Sequence, residues 1–476
     1  MKLQKIIHQL SPTDYSNLSN QFKETRADKF LLLLNHYRIA KTPDEELLLT
    51  LEIKQTAFYT LKSRLFDKIQ EFLYKNTADT RIELLQNVAN IEHLVYQTQR
   101  ETAIGILKKL ETELIEHDMP NELTTVYKAL QKLHVHSAKY YDYLKLYNQH
   151  VAFNLAHDKA EGILLLFSKT LGEYYLDKNS DKLELLLLYK KEMANVCRLY
   201  KSHHLQVYQN ILITHFSLFC PIDSESTNDS TIEEMLKESL LIIETHPQDR
   251  TYKHFIHIIN FLYFEYYHKL KLYKNASKYY ELLSSNFETI LLCNHCSFIN
   301  HFLISKIEYF VQEGKQADLI NEEDVYSHDP NTNDLCGFIF FHCYKASAEY
   351  YAEKHAAALQ TLNDLMNEVS FKNIPYAELE IKSFMAIIHI ICGKFEQAEI
   401  IIRSISRKIT DEDNNQKYQN AIQFLKLMKT AVSVKKIGKR EKIIKINNSL
   451  KSTNLGEYSF LQYLKLDEKT ILEIMK

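Results

Sequence analysis

Ala276, Ala317, Ala358 and Ala398 stand at successive intervals of 41, 41 and 40 residues in a chain of 476. A spacing kept over three steps limits a fold severely, because a repeated unit must bury its apolar stripe against copies of itself. The surroundings repeat as well. In "LYKNASKYYELL" (272–283) Tyr273 precedes Ala276, and Tyr280 and Leu283 follow it at +4 and +7. In "GKFEQAEIIIRSI" (393–405) the same places hold Phe395, Ala398, Ile402 and Ile405. "KHAAALQTLNDL" (354–365) keeps Ala358, Leu362 and Leu365 but has His355 at the aromatic place, and "EGKQADLI" (313–320) is a shorter echo around Ala317. The +4 and +7 steps put these side chains on one helical face. The alanine is small where two helices would cross closely, and Gly393 suits the left-handed residue that ends the preceding helix.

Composition agrees with helices. Gly (8) and Pro (7) are too few for a sheet protein, whose turns demand them, but enough for long helices joined by short polar links. An apolar fraction of 45% with a net charge of -3 excludes a disordered chain. The start "MKLQKIIHQLSPTDYSN" has no apolar stretch of secretory length, and "GILLLFS" and "LELLLLY" are too short to span a bilayer. Seven scattered cysteines suit reduced thiols, so a cytoplasmic protein without cofactor or metal is expected.

The Gly–aromatic–Ala–apolar pattern resembles the second helix of a tetratricopeptide repeat. The resemblance covers about residues 80–430, with a period nearer that of HEAT-type units. It implies an all-α fold: an α-solenoid of antiparallel helix pairs whose first helices line a concave face. Upstream, "QRETAIGILKKLETEL" (99–114) offers Ala103, Leu107 and Leu110, and steps of 41 reach Leu144 and Leu185. Met235 lies one such step before Ala276, and the nine extra residues between 185 and 235 fit a polar surface loop at 221–230. Residues 321–334 read as a second loop. The expected organisation is a helical bundle over 1–80, the array over 81–432, and a basic segment with a C-terminal amphipathic helix over 433–476.

Residues 44–75 differ from the array. Pro43 with Asp44, Glu45 and Glu46 marks a helix start. "LEIKQTAFYTLKSRLFDKI" resembles the helix-turn-helix of sigma-factor-like DNA readers. That resemblance puts Lys54, Gln55, Thr56, Tyr59 and Thr60 at base edges and Lys62 and Arg64 at phosphates. The competing reading is a cap on the array, with Ala57, Leu61, Leu65, Ile69 and Leu73 as its buried stripe. "KKIGKREKIIKI" (435–446), with Lys435, Lys436, Lys439 and Arg440, reads either as a contact for nucleic acid or an acidic partner, or as a solvated helix end. "NNSLKSTNLGEY" after it reads as a linker.

No phosphate-binding glycine loop, zinc-protease helix or nucleophile elbow occurs, and no catalytic residue is nominated. Cys293 and Cys296 of "CNHC" supply one ligand pair where a zinc site uses two, and the histidines show no partner carboxylate at a telling spacing. Two functions follow. In the first, the chain is an interaction scaffold that holds a peptide or protein partner. In "FIHIINFLYFEYYHKL", Tyr263, Phe264 and Tyr267 pack inward, while Glu265, His268 and Lys269 line the groove, as do Lys345 and Glu349 in the next good repeat, two periods on less a two-residue shorter link. In the second, the chain is a nucleic-acid-binding regulator using residues 44–75 or 435–446, with the array as sensor or dimeriser.

Overall fold

The computed structural model describes residues 2–8, 10, 12–39, 51, 54–75, 80–220, 231–247, 249–285, 298–322, 334–410, 417–433, 438–453, 460–466 and 468–475. Every regular element among them is helical, and none of these helices is long and apolar enough to cross a membrane. The chain forms two compact units, Met1–Asn148 and Gln149–Lys476.

The first unit holds α1 (Lys2–His8), α2 (Pro12–Glu24), α3 (Asp28–Ile39), α4 (Gln55–Lys75), α5 (Thr80–Ala89), α6 (Ile91–Gln97), α7 (Arg100–Glu116) and α8 (Pro120–Leu133). It has two cores. Leu18, Phe22, Leu33, Tyr37, Phe58, Leu65 and Ile69 join α2, α3 and α4, and Leu107, Leu114, Leu123 and Val126 join α7 to α8. The buried stripe of α4 is therefore Phe58, Leu65, Ile69 and Phe72; Leu61 is half-buried and Ala57 is exposed. Phe58 takes over from Ala57 because an aromatic ring fills more of the core than a methyl group. The side chain of Leu73, Pro43–Glu46 and the 221–230 loop lie outside the described residues.

α9 (Lys139–Asp177) is 39 residues long and carries the chain into the second unit. It contains no proline, and its two glycines, Gly162 and Gly172, do not interrupt it where the 41-residue step required a break. The expected register fails here: Leu185, one step further, is 42% exposed. The second unit continues with α10 (Ser180–Leu199), α11 (His203–Phe219), α12 (Ile232–Thr245), α13 (Arg250–Lys269), α14 (Tyr273–Ser284) and α15 (Phe298–Gln312). After these come α16 (Leu335–Tyr351), α17 (His355–Glu368), α18 (Pro375–Ile391), α19 (Phe395–Thr410), α20 (Gln419–Val432), α21 (Lys439–Thr453) and α22 (Glu468–Met475). Consecutive helices pack as pairs, α13 with α14, α16 with α17, α18 with α19 and α20 with α21, over one core running from Ala156 to Ile474. The "NNSLKST" stretch is not a linker: it ends α21, with Asn447 and Leu450 buried.

One turn recurs. Arg26, Asp118, Lys271, Gly314, Glu353 and Gly393 all have φ between 49° and 70°. At each, the next N–H donates to the carbonyl five residues back, as in Lys394 to His389, Lys354 to Glu349 and Leu272 to Tyr267. The left-handed residue itself donates three back, closing a Schellman motif that satisfies the last carbonyls of the helix. Five residues beyond the left-handed position stand Ala276, Leu319, Ala358 and Ala398, all fully buried. Ala317 is thus two places out of register. It is exposed, in the 3-10 turn Gln316–Asn321, and Leu319 fills the packing position. Ala103, Leu107, Leu110 and Met235 are buried as their places require.

Candidate binding cavity in the second unit

α13 is aromatic and apolar along most of its length, and Tyr263, Phe264 and Tyr267 are buried in the core. Its polar residues near the end fall together on another face. Glu265, His268 and Lys269 line a cavity of about 610 Å³ with Ser305 and Glu308 of α15, Asn447 and Lys451 of α21, and residues 460–462 and 464–466. Tyr175, Phe219, Phe424 and Phe460 form aromatic walls.

The charges inside are unevenly matched. Glu308 and Lys465 pair at 3.0 Å. Burial alone would push the Glu308 carboxyl up, but Lys465, His268 and Lys269 hold it below the usual range. Glu265 is 1% exposed, and burial raises its pKa to about 7 despite Lys269 and a hydrogen bond from Ser305. Lys269 keeps solvent contact at the mouth, with its ammonium 4.7 Å from the Phe219 ring centre. The surrounding protein nevertheless lowers its pKa, and Glu265 and Glu308 only partly restore it. Burial also lowers His268, and lowers His301 to about 3. Glu265 Oε1, His268 Nε2, His301 Nε2 and Asn447 Oδ1 are buried without a hydrogen-bond partner, and all four residues line this cavity.

One side of the cavity is the chain's own C-terminal segment. Residues 460–466 are not helical, so the amphipathic helix expected over the tail is confined to α22. The Leu461 N–H donates to Glu380 of α18 at 2.7 Å, and the Lys465 N–H donates to the Tyr351 hydroxyl at 3.0 Å. The Ser347 hydroxyl of α16 donates to the Tyr463 carbonyl at 2.6 Å. Leu461 has φ 62°, a left-handed turn that helical continuation would not allow. Burial raises Glu380 to about 7, while Lys178 and the Leu461 N–H favour its charged form.

Of the five groove residues expected from sequence, Glu265, His268 and Lys269 meet at this cavity. Lys345 and Glu349 do not line it; both are half-buried on α16, and Glu349 accepts from the Thr361 hydroxyl at 2.8 Å. Asn447, Glu308 and Lys465 carried no sequence signal, since they converge from three separate elements. Neither did the His204–Asp249 hydrogen bond, which joins residues 45 apart beside a 2.6 Å contact between His203 Nδ1 and the Tyr252 hydroxyl. On α4, Gln55, Thr56, Tyr59 and Arg64 are exposed, as is Lys54 just before it. Lys62 instead lies over the rings of Tyr37, Phe58 and Tyr59. Lys435 and Lys436 lie outside the described residues, as do Cys293 and Cys296; Lys439 and Arg440 open α21. Comparison of the chain with family models, curated proteins and solved structures gives no match.

Proposed function

We propose that this chain is a protein-interaction scaffold. In this reading the paired helices of residues 149–476 form a tetratricopeptide-like solenoid, and its inner helices hold an extended segment of a partner. One observation carries the reading: α16 and α18 hold the non-helical segment 460–466 by its main chain, through Ser347, Tyr351 and Glu380. Side chains that bind main-chain groups accept many sequences, whereas pockets between them select. The internal segment then stands where a partner's segment would lie.

The test uses a labelled peptide of residues 460–476 and the full chain carrying Tyr463→Ala with Leu464→Ala, which loosens the internal segment. Saturable binding in fluorescence anisotropy, weaker to the unsubstituted chain, supports the scaffold. Absence of binding at 100 µM (about 100-fold above a micromolar Kd) by a variant that keeps its circular-dichroism spectrum removes it.

A further inference from the structure

Beyond partner binding, and independently of it, we infer that the cavity beside α13 is a site for a small amphiphilic zwitterion, an apolar amino acid or a molecule with the same amine-and-carboxylate head. Two unpartnered acceptors, Glu265 Oε1 and Asn447 Oδ1, are more than nine-tenths buried in its lining. Buried acceptors require donors, and a primary ammonium brings three N–H groups on one atom. At the mouth, no carboxylate lies within ion-pair distance of Lys269 among the described residues, and Lys451 stands on the same rim. With Glu308 already matched by Lys465, the charges left over are one buried acid and two lysines. An ammonium at Glu265 and a carboxylate at Lys269 satisfy both ends at once. Glu265 and Lys269 are one helical turn apart on the same face, a separation that an amino-acid head group bridges. The walls of Tyr175, Phe219 and Phe424 receive an apolar side chain, and the volume of about 610 Å³ is that of a small-molecule site.

The shifted acid adds a signature. Glu265 is about half protonated near neutral pH, and an ammonium beside it favours the carboxylate, so binding releases a proton. Calorimetric titration of the full chain with L-phenylalanine and L-leucine at pH 7, in buffers of different ionisation enthalpy, is expected to show saturable binding with proton release. Phenylalaninamide lacks the carboxylate and N-acetyl-phenylalanine lacks the ammonium, and each is expected to bind at least tenfold more weakly. Lys269→Met should weaken L-phenylalanine at least tenfold. Glu265→Gln should do the same and abolish the proton release. Either variant alone, if folded by near-ultraviolet circular dichroism, decides its half of the site. The inference is overturned if neither amino acid binds at 10 mM, about tenfold above a millimolar Kd. It is also overturned if N-acetyl-phenylalanine binds as well as L-phenylalanine, which would make this an anion site, or if Lys269→Met leaves affinity unchanged.

Discussion

A carboxyl group at 1% exposure with one oxygen unpartnered costs the folded state whenever it ionises. For Glu265 the sign of the pH dependence follows. Its folded pKa of about 7 lies above the ordinary value of 4.5, so between those values the native state holds the proton that the unfolded chain has released. This contribution is fully present below about pH 4.5 and is lost as pH rises through 7. Glu265→Gln keeps the shape and removes the ionisation. The variant is therefore expected to match the parent near pH 4 and exceed it at pH 8 by up to about 3 kcal/mol, each pK unit being about 1.4 kcal/mol. Urea denaturation at the two pH values checks this; an equal difference at both would mean that folding leaves the Glu265 pKa at its ordinary value. Its place in the cavity was legible because Glu265, His268 and Lys269 interrupt an aromatic helix. What the sequence did not announce was the burial of Glu265 and His268, in a cavity that α21 and the 460–466 segment line from nearly two hundred positions away.

At the scale of the element, the informative unit is the turn between paired helices. Ala398 is fully buried five residues after a left-handed glycine. Ala398→Leu overfills that helix crossing and is expected to cost about 1–3 kcal/mol, read as a lowered Tm. The same turn at Lys271 and Glu353 places a side chain where φ is near 60°. Lys271→Gly or Glu353→Gly relieves that cost but adds unfolded-state freedom, for a net gain of about 0.5–1 kcal/mol. A drop in Tm for both would show that these side chains repay their strain through contacts elsewhere. The turn explains why the alanine spacing could be read at all, and why it misled at Ala317. Only Gly314 and Gly393 of the six Schellman positions carry the residue that announces them. Gly314 falls 43 residues after Lys271 (314 - 271), two more than the alanine step, so the packing place five residues on is Leu319 and not Ala317. In α9 glycine occurs twice, as Gly162 and Gly172, yet the helix runs through both, so neither a glycine nor a periodic step reveals that it continues for 39 residues.

At the scale of the molecule, the C-terminal segment belongs energetically to the helices that precede it by one hundred residues. Phe460, Leu461, Tyr463, Leu464, Ile471 and Ile474 are buried in the core of the second unit. Composition can mark such a tail as apolar but cannot say which surface it covers, because the contacts run through main-chain groups that every sequence possesses. Its removal has two consequences of different kind. Apolar surface on α16, α18 and α20 meets water, and Glu380 and Glu308 lose the groups that face them, the Leu461 N–H and the Lys465 ammonium. An unpartnered buried acceptor costs about 1–3 kcal/mol, and the exposed apolar surface adds to it. A chain ending at Ser459 is therefore expected to remain helical in far-ultraviolet circular dichroism and to lose stability by several kcal/mol. Hydrogen exchange should locate the loss, with amides of α16 and α18 exchanging faster while α14, which the hydrogen bonds to Ser347, Tyr351 and Glu380 do not reach, changes least. Unchanged exchange in α16 and α18 would mean that the tail lies on the helices without holding them. The same result would undercut the scaffold reading, because a segment that stabilises nothing where it docks gives no reason to expect that a partner's segment would bind there.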